Sequence, residues 1–134
     1  MTGPRHQDET LLLREILRVF GALPGVRLFR NSVGLVRLPG GGAIPYGLCP
    51  GSSDLVGWRT LATNLGPVAQ FVALEVKSLT GRLTPEQGRF LEAVRQAGGM
   101  AAEVRALDDV ARALGAGPSG GAGPSGGLPG TSPA

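Results

Sequence analysis

The chain has 134 residues, which is room for one domain and at most a tail, and it carries 13 basic against 10 acidic side chains for a net charge of +3. A pI near 10.0 favours a polyanionic partner without requiring one. With Cys49 the only cysteine and His6 the only histidine, the composition argues against a disulfide framework, a cysteine-based zinc centre and nucleophile–histidine catalysis. No apolar run reaches transmembrane length and the first residues do not form a signal peptide, so a soluble, cytoplasmic protein is expected, with no membrane partner.

In chain order, Asp8 is placed to cap a helix running to about Phe20, ended by Gly21 and Pro24-Gly25. Leu12, Leu13, Ile16, Leu17 and Phe20 form its apolar stripe. Glu9 precedes Leu12, Leu13 and Ile16 by three, four and seven positions, so it shares the buried face. A carboxylate there is either frayed into solvent or held near something positive. Residues 26–30 alternate and predict a strand, and residues 33–38 another. Residues 39–50, rich in Gly and Pro, read as a loop, and no Gly-Lys-Ser/Thr follows that would make it a phosphate-binding loop. Residues 54–58 predict a short strand that Asp54 begins, residues 60–67 a polar turn, and residues 68–77 a mostly apolar central strand.

Helix signals then converge. Thr84 is the N-cap, Pro85 takes the first helical position and Gln87 closes a capping box. Phe90, Leu91 and Val94 form the stripe and Gly98-Gly99 the stop. Gln87 lies three, four and seven positions before that stripe and faces the sheet, either as a capping residue alone or as part of a site. Residues 101–106 predict a last strand, and Asp108 caps a short helix through Leu114. The resulting order, α-β-β-β-β-α-β-α, describes an α/β fold with a mixed central sheet flanked by helices. Residues 1–114 form the domain. Residues 115–134 are uncharged, repeat Gly-Ala-Gly-Pro-Ser-Gly twice in succession, and are expected to be a disordered tail.

One lysine stands among 13 basic residues, and it is Lys77, in Leu74-Glu75-Val76-Lys77. Arg holds its proton, whereas Lys is a compact, titratable point charge, so a chain that otherwise uses Arg has a chemical reason to keep a Lys here. Glu75 and Lys77, two apart on a strand, project to the same side. A hairpin from the Asp54 strand into the Glu75 strand brings Asp54 beside both. Two carboxylates can share a hard divalent cation with water and a phosphate oxygen, as Mg²⁺ prefers. The ammonium can orient or deprotonate a water and offset phosphate charge, with Gln87 to position either.

Gly51-Ser-Ser-Asp54, Phe71-Val-Ala-Leu-Glu-Val-Lys77 and Thr80-Gly-Arg-Leu-Thr-Pro-Glu-Gln87 with Phe90-Leu91 together resemble the VRR-NUC domain of the PD-(D/E)XK nucleases. The resemblance takes in the opening helix with Glu9, Arg30-Asn31, Gly98-Gly99 and the closing strand, about residues 8–114. It implies a restriction-endonuclease-like fold and Mg²⁺- or Mn²⁺-dependent DNA cleavage. It also implies metal ligation by Asp54, Glu75 and the Val76 carbonyl, completed by Glu9, with Lys77 as the catalytic amine. Ser53 stands where the superfamily's name has proline. The chain looks like the small stand-alone members of phages and bacteria, which implies a homodimeric endonuclease acting on branched DNA such as four-way junctions or flaps. A DNA-binding or assembly module that does not cleave is the alternative reading, and a partner protein that supplies specificity is left open.

Arg30 and Asn31 either contact phosphate or hold the loop around the site, and Arg82 is a further candidate for the DNA backbone. Trp58 reads as a core or dimer residue rather than a base-stacking platform, and Cys49 as a small buried apolar residue.

Overall fold

The computed structural model of the protein describes residues 4–115, so the expected tail lies almost wholly outside the described residues. The elements are α1 (Pro4–Phe20), β1 (Val26–Arg30), β2 (Gly34–Arg37), β3 (Ala43–Tyr46), β4 (Leu55–Thr63), β5 (Gly66–Val76), α2 (Pro85–Gln96), β6 (Met100–Val104) and α3 (Leu107–Leu114). β1, β4, β5 and β6 form one sheet in that order, with β1–β4 and β4–β5 antiparallel and β5–β6 parallel. The parallel pair needs a long crossover, which α2 supplies.

The mixed central sheet flanked by helices is as expected, but five strands, not four, precede α2. Residues 39–50 are not all loop: β3 pairs with β2, with Pro45 opposite Leu35. A two-stranded sheet has outer edges on both sides, where proline's missing N–H costs no ladder bond. The 60–67 turn shrinks to Asn64-Leu65, because Thr60, Leu61 and Ala62 pair with Ala69, Val68 and Pro67. Helix α1 begins at Pro4, whose preset φ suits a first turn, so Asp8 lies inside the helix and is not its cap. Ala106, not Asp108, is the N-cap of α3, and Asp109 reaches back to accept from the Arg105 N–H at 2.8 Å. Cys49 is exposed rather than buried.

Strand alternation sends Leu28, Leu55, Leu74 and Val76 to one face, where they pack with Ile16 and Phe20 of α1 and with Val110 and Leu114 of α3. The other face sends Ala73 and Ala101 against Leu91 and Val94 of α2. The last five residues of β5 are all buried, because α1 and α3 cover one side of that stretch and α2 the other. Gly57 must be glycine: a Cβ there would collide with the Arg27 carbonyl of the neighbouring strand. The β2–β3 hairpin stands apart, with Leu35 60% and Ile44 54% exposed. No helix among the described residues is long and apolar enough to cross a membrane.

Phe20 is fully buried between α1, the sheet and α3. Phe20→Ala should therefore cost about 3–5 kcal/mol of stability, read as a lower urea midpoint with an unchanged slope.

Candidate active site

The site forms where the β4–β5 hairpin opens into loops. In the antiparallel register Leu55 faces Leu74, so one step further brings Asp54, just outside β4, across from Glu75. Likewise Arg30 faces Leu55, and Asn31 donates its N–H to the Asp54 carbonyl at 2.8 Å. Two strand pairings thus converge on Asp54 before its side chain makes any contact.

Asp54 is held from both sides. Its Oδ2 accepts the Val76 N–H at 2.9 Å. Asn31 clamps the preceding turn, with Nδ2 donating to Ser52 Oγ and to the Ser53 carbonyl, each at 2.8 Å, and Oδ1 accepting the Leu48 N–H at 3.1 Å. Gly51 has φ +82°, and a Cβ there would lie 2.7 Å from Glu86 Cβ, so glycine lets this turn rest on the start of α2. Of the two roles open to Asn31, holding the loop is the one its hydrogen bonds serve.

Glu75 is 2% exposed, a buried carboxylate in the middle of the structure. Its Oε1 accepts from Gln87 Nε2 at 2.9 Å and lies 3.7 Å from Lys77 Nζ. Gln87 performs both tasks its position allows. Its backbone N–H donates to Thr84 Oγ1 at 3.1 Å and its Oε1 accepts the Thr84 N–H at 2.9 Å, which turns Nε2 toward Glu75. The capping box therefore orients a site residue.

Glu75 Oε2 is buried and has no hydrogen-bond partner. Burial first, and then the adjacent Asp54 carboxylate, push Glu75 up from the usual 4.5 to about 8, with Lys77 pulling the other way. Two carboxylates this close, one of them buried, call for a positive charge between them, either a proton or a cation. Carboxylate oxygens are hard donors, and a hard divalent ion such as Mg²⁺ is the cation they suit. Among the described residues no group of three or more His, Cys, Asp or Glu assembles, so a cation here would rely on Asp54, Glu75, backbone oxygen and water.

The other candidates separate. Arg30 and Asn31 line the cavity that holds Asp54, Glu75 and Gln87. Glu9 stands outside that cavity, its Oε1 accepting the Ser78 N–H at 3.1 Å just past Lys77. There it ties α1 to the segment after Lys77. Arg82 is exposed and outside that cavity. Two further residues support the segments on either side of the site. Ser52 is the hydroxyl on which Asn31 closes, and Arg105 donates to the Ser78 carbonyl while pairing with Glu103. Ser52 belongs to the Gly51-Ser-Ser-Asp54 motif, whereas nothing in its local sequence marks Arg105, whose bond to Ser78 spans 27 residues.

Ser53 is completely buried, and its Oγ has no hydrogen-bond partner. The VRR-NUC domain family model matches residues 45–107. That stretch includes Asp54, Glu75, Val76, Lys77 and Gln87 and leaves out Glu9, Arg30 and Asn31. Neither the curated proteins nor the solved structures gave a match to the chain.

Two measurements test this geometry. A raised carboxyl pKa in the fold contributes stability that is complete below 4.5 and lost as the pH rises through about 8. Metal-free protein should accordingly melt at a lower temperature at pH 8.5 than at pH 6, and Glu75→Gln should flatten that slope. Ser53→Ala removes a buried hydroxyl that bonds to nothing, and should raise stability by about 1 kcal/mol in urea unfolding.

Proposed function

The chain belongs to the VRR-NUC family of nuclease domains, and on that premise we propose that it is a divalent-metal-dependent DNA endonuclease selective for branched DNA. The observation that carries the reading is the partnerless Oε2 of Glu75, buried beside a second carboxylate and close to a lysine. A carboxylate kept this way for structure alone would cost stability and return none.

Asp54 and Glu75 would hold the ion, Mg²⁺ or Mn²⁺. The Val76 carbonyl fits a third place. On a strand a residue's N–H and C=O point to the same side, and the Val76 N–H points at Asp54. When bound, the ion would acidify a water and neutralise charge on the scissile phosphate. Lys77 Nζ, near the same carboxylate, would orient or deprotonate that water and offset the phosphate's charge. Gln87 holds the Glu75 carboxylate in one orientation, which fixes where Lys77 can sit. Arg30 would meet the DNA backbone from the cavity rim, Asn31 would act by holding Asp54, and Arg82 is a second contact further out. Glu9 would contribute by fixing the Ser78 backbone beside Lys77, or complete the ion's ligands through water.

Selection of branched DNA such as four-way junctions or flaps rests on family resemblance and on the limited surface that remains for reading base sequence. A homodimer would suit a two-fold substrate. The exposed apolar side chains of the β2–β3 hairpin, Leu35, Val36, Ile44 and Tyr46 among them, are surface that a second copy could cover.

The test is cleavage of labelled four-way junction, flap and linear duplex DNA with Mg²⁺ or Mn²⁺. Wild type should cut the branched forms only with metal. Asp54→Asn and Lys77→Ala should each lower the rate by at least about 10²-fold while still binding DNA. Wild-type protein that binds all three DNAs and cuts none with either metal would point to a non-cleaving DNA-binding module.

A further inference from the structure

The sheet face that carries Asp54 and Glu75 is only half covered. Helix α2 packs on β5 and β6, and the same face over β1 and β4 stays open. In register with the carboxylates, that open half presents Phe29 and Trp58, 51% and 39% exposed, and Phe71 of β5, 42% exposed, borders it beside α2. Trp58 faces Phe71 across the β4–β5 ladder, and the Phe29 and Trp58 rings lie 5.7 Å apart at a tilt of 45°. Of the two expectations for Trp58, core or dimer contact, its exposure sets aside the first.

Three aromatic rings on an open sheet call for an occupant. What surrounds them narrows its chemistry. Arg27, exposed, precedes Phe29 on the same face, and Arg30 opens onto the carboxylate cavity at the other end of the row. Asp54 itself is the only acidic residue on the open half. Rings bracketed by arginines fit a flat apolar group joined to an anion, which is what an unpaired nucleotide offers. A duplex hides its base faces and cannot use the rings in this way. Trp58 lies four residues along β4 from Asp54, about 13 Å. At the stacked rise of 3.4 Å that is up to about four nucleotides.

We infer that the Phe29–Trp58–Phe71 face binds unpaired nucleotides of the strand running on from the scissile phosphate. This rests on the nuclease reading and sharpens it. The preferred DNA has a single-stranded or readily frayed segment within a few nucleotides of the cut, as at a flap base or gap, and fully paired DNA is a poorer ligand.

Trp58 is the chain's only tryptophan, so it reports on its own surroundings. With chelator present, so that binding is separate from cutting, a short oligo-dT should quench its fluorescence saturably at low salt, and a blunt duplex of equal charge should quench it much less. By anisotropy of fluorescein-labelled DNA, Phe29→Ala and Trp58→Ala should weaken oligo-dT and flap binding by about 5- to 100-fold. Blunt-duplex binding should change less than about 2-fold, and Trp58→Phe should retain most of the affinity because it keeps an aromatic face. Equal losses on duplex and single strand, or no loss on either, would overturn the inference while leaving the nuclease reading intact. Unchanged DNA affinity with an altered sedimentation mass would reassign the face to protein contact. Wild-type protein that binds no DNA of any form would remove both readings.

Discussion

The site depends on keeping one carboxylate, that of Glu75, out of water. A buried charge is tolerated only when it is paired and hydrogen-bonded. Here three side chains from three directions approach it: Lys77 from its own strand, Gln87 from α2, and Asp54 from across the hairpin. The first two meet one oxygen, and the third, a second carboxylate, favours a proton or a cation held between the two. What remains is a partnerless oxygen beside a second carboxylate, an arrangement that favours bound positive charge.

The scaffold serves that constraint by placing short-range devices on long-range supports. The β4–β5 ladder determines that Asp54 meets Glu75, and the Val76 N–H then fixes how far Asp54 can turn. Asn31 staples the turn before Asp54 to the end of β1. On the other side Glu9 and Arg105 both bind the Ser78 backbone, so α1 and the segment before α3 hold the chain just beyond Lys77. The capping box of α2 stabilises the helix start and aims Gln87 in the same set of bonds. Each support comes from a different part of the chain. A substitution far from Glu75 in sequence can therefore loosen it, because positioned groups tolerate little displacement.

Much of this was legible in the sequence wherever the signal was local. The alternation of β1, the apolar run of β5 and the Thr84-Pro85-Gln87 start of α2 all appear as predicted, since each is decided by a few neighbouring residues. The convergence of Asp54, Glu75, Lys77 and Gln87 followed from strand alternation and one hairpin. The misses have physical causes as well. Strand β3 was hidden by Pro45 and three successive glycines, residues that weaken a strand prediction but are tolerated in a two-stranded sheet. The length of β4 was hidden because Thr60 and Thr63 resemble a turn until Pro67 and Gly66 are seen to pair with Ala62 and Thr63. The hydrogen bond Glu9 makes was not legible in the sequence. Its inward face was evident, but its partner, the Ser78 N–H, is 69 residues away in the chain.

Whether Asp54 and Glu75 form the proposed cation site is decided by anomalous diffraction from crystals grown with Mn²⁺ and a chemically uncleavable branched DNA. One strong anomalous peak is expected within coordination distance of Glu75 Oε2, an Asp54 oxygen and the Val76 carbonyl, absent from Glu75→Gln crystals. An empty site in crystals whose DNA is ordered, with Glu75 Oε2 bonded to a protein group instead, would contradict it.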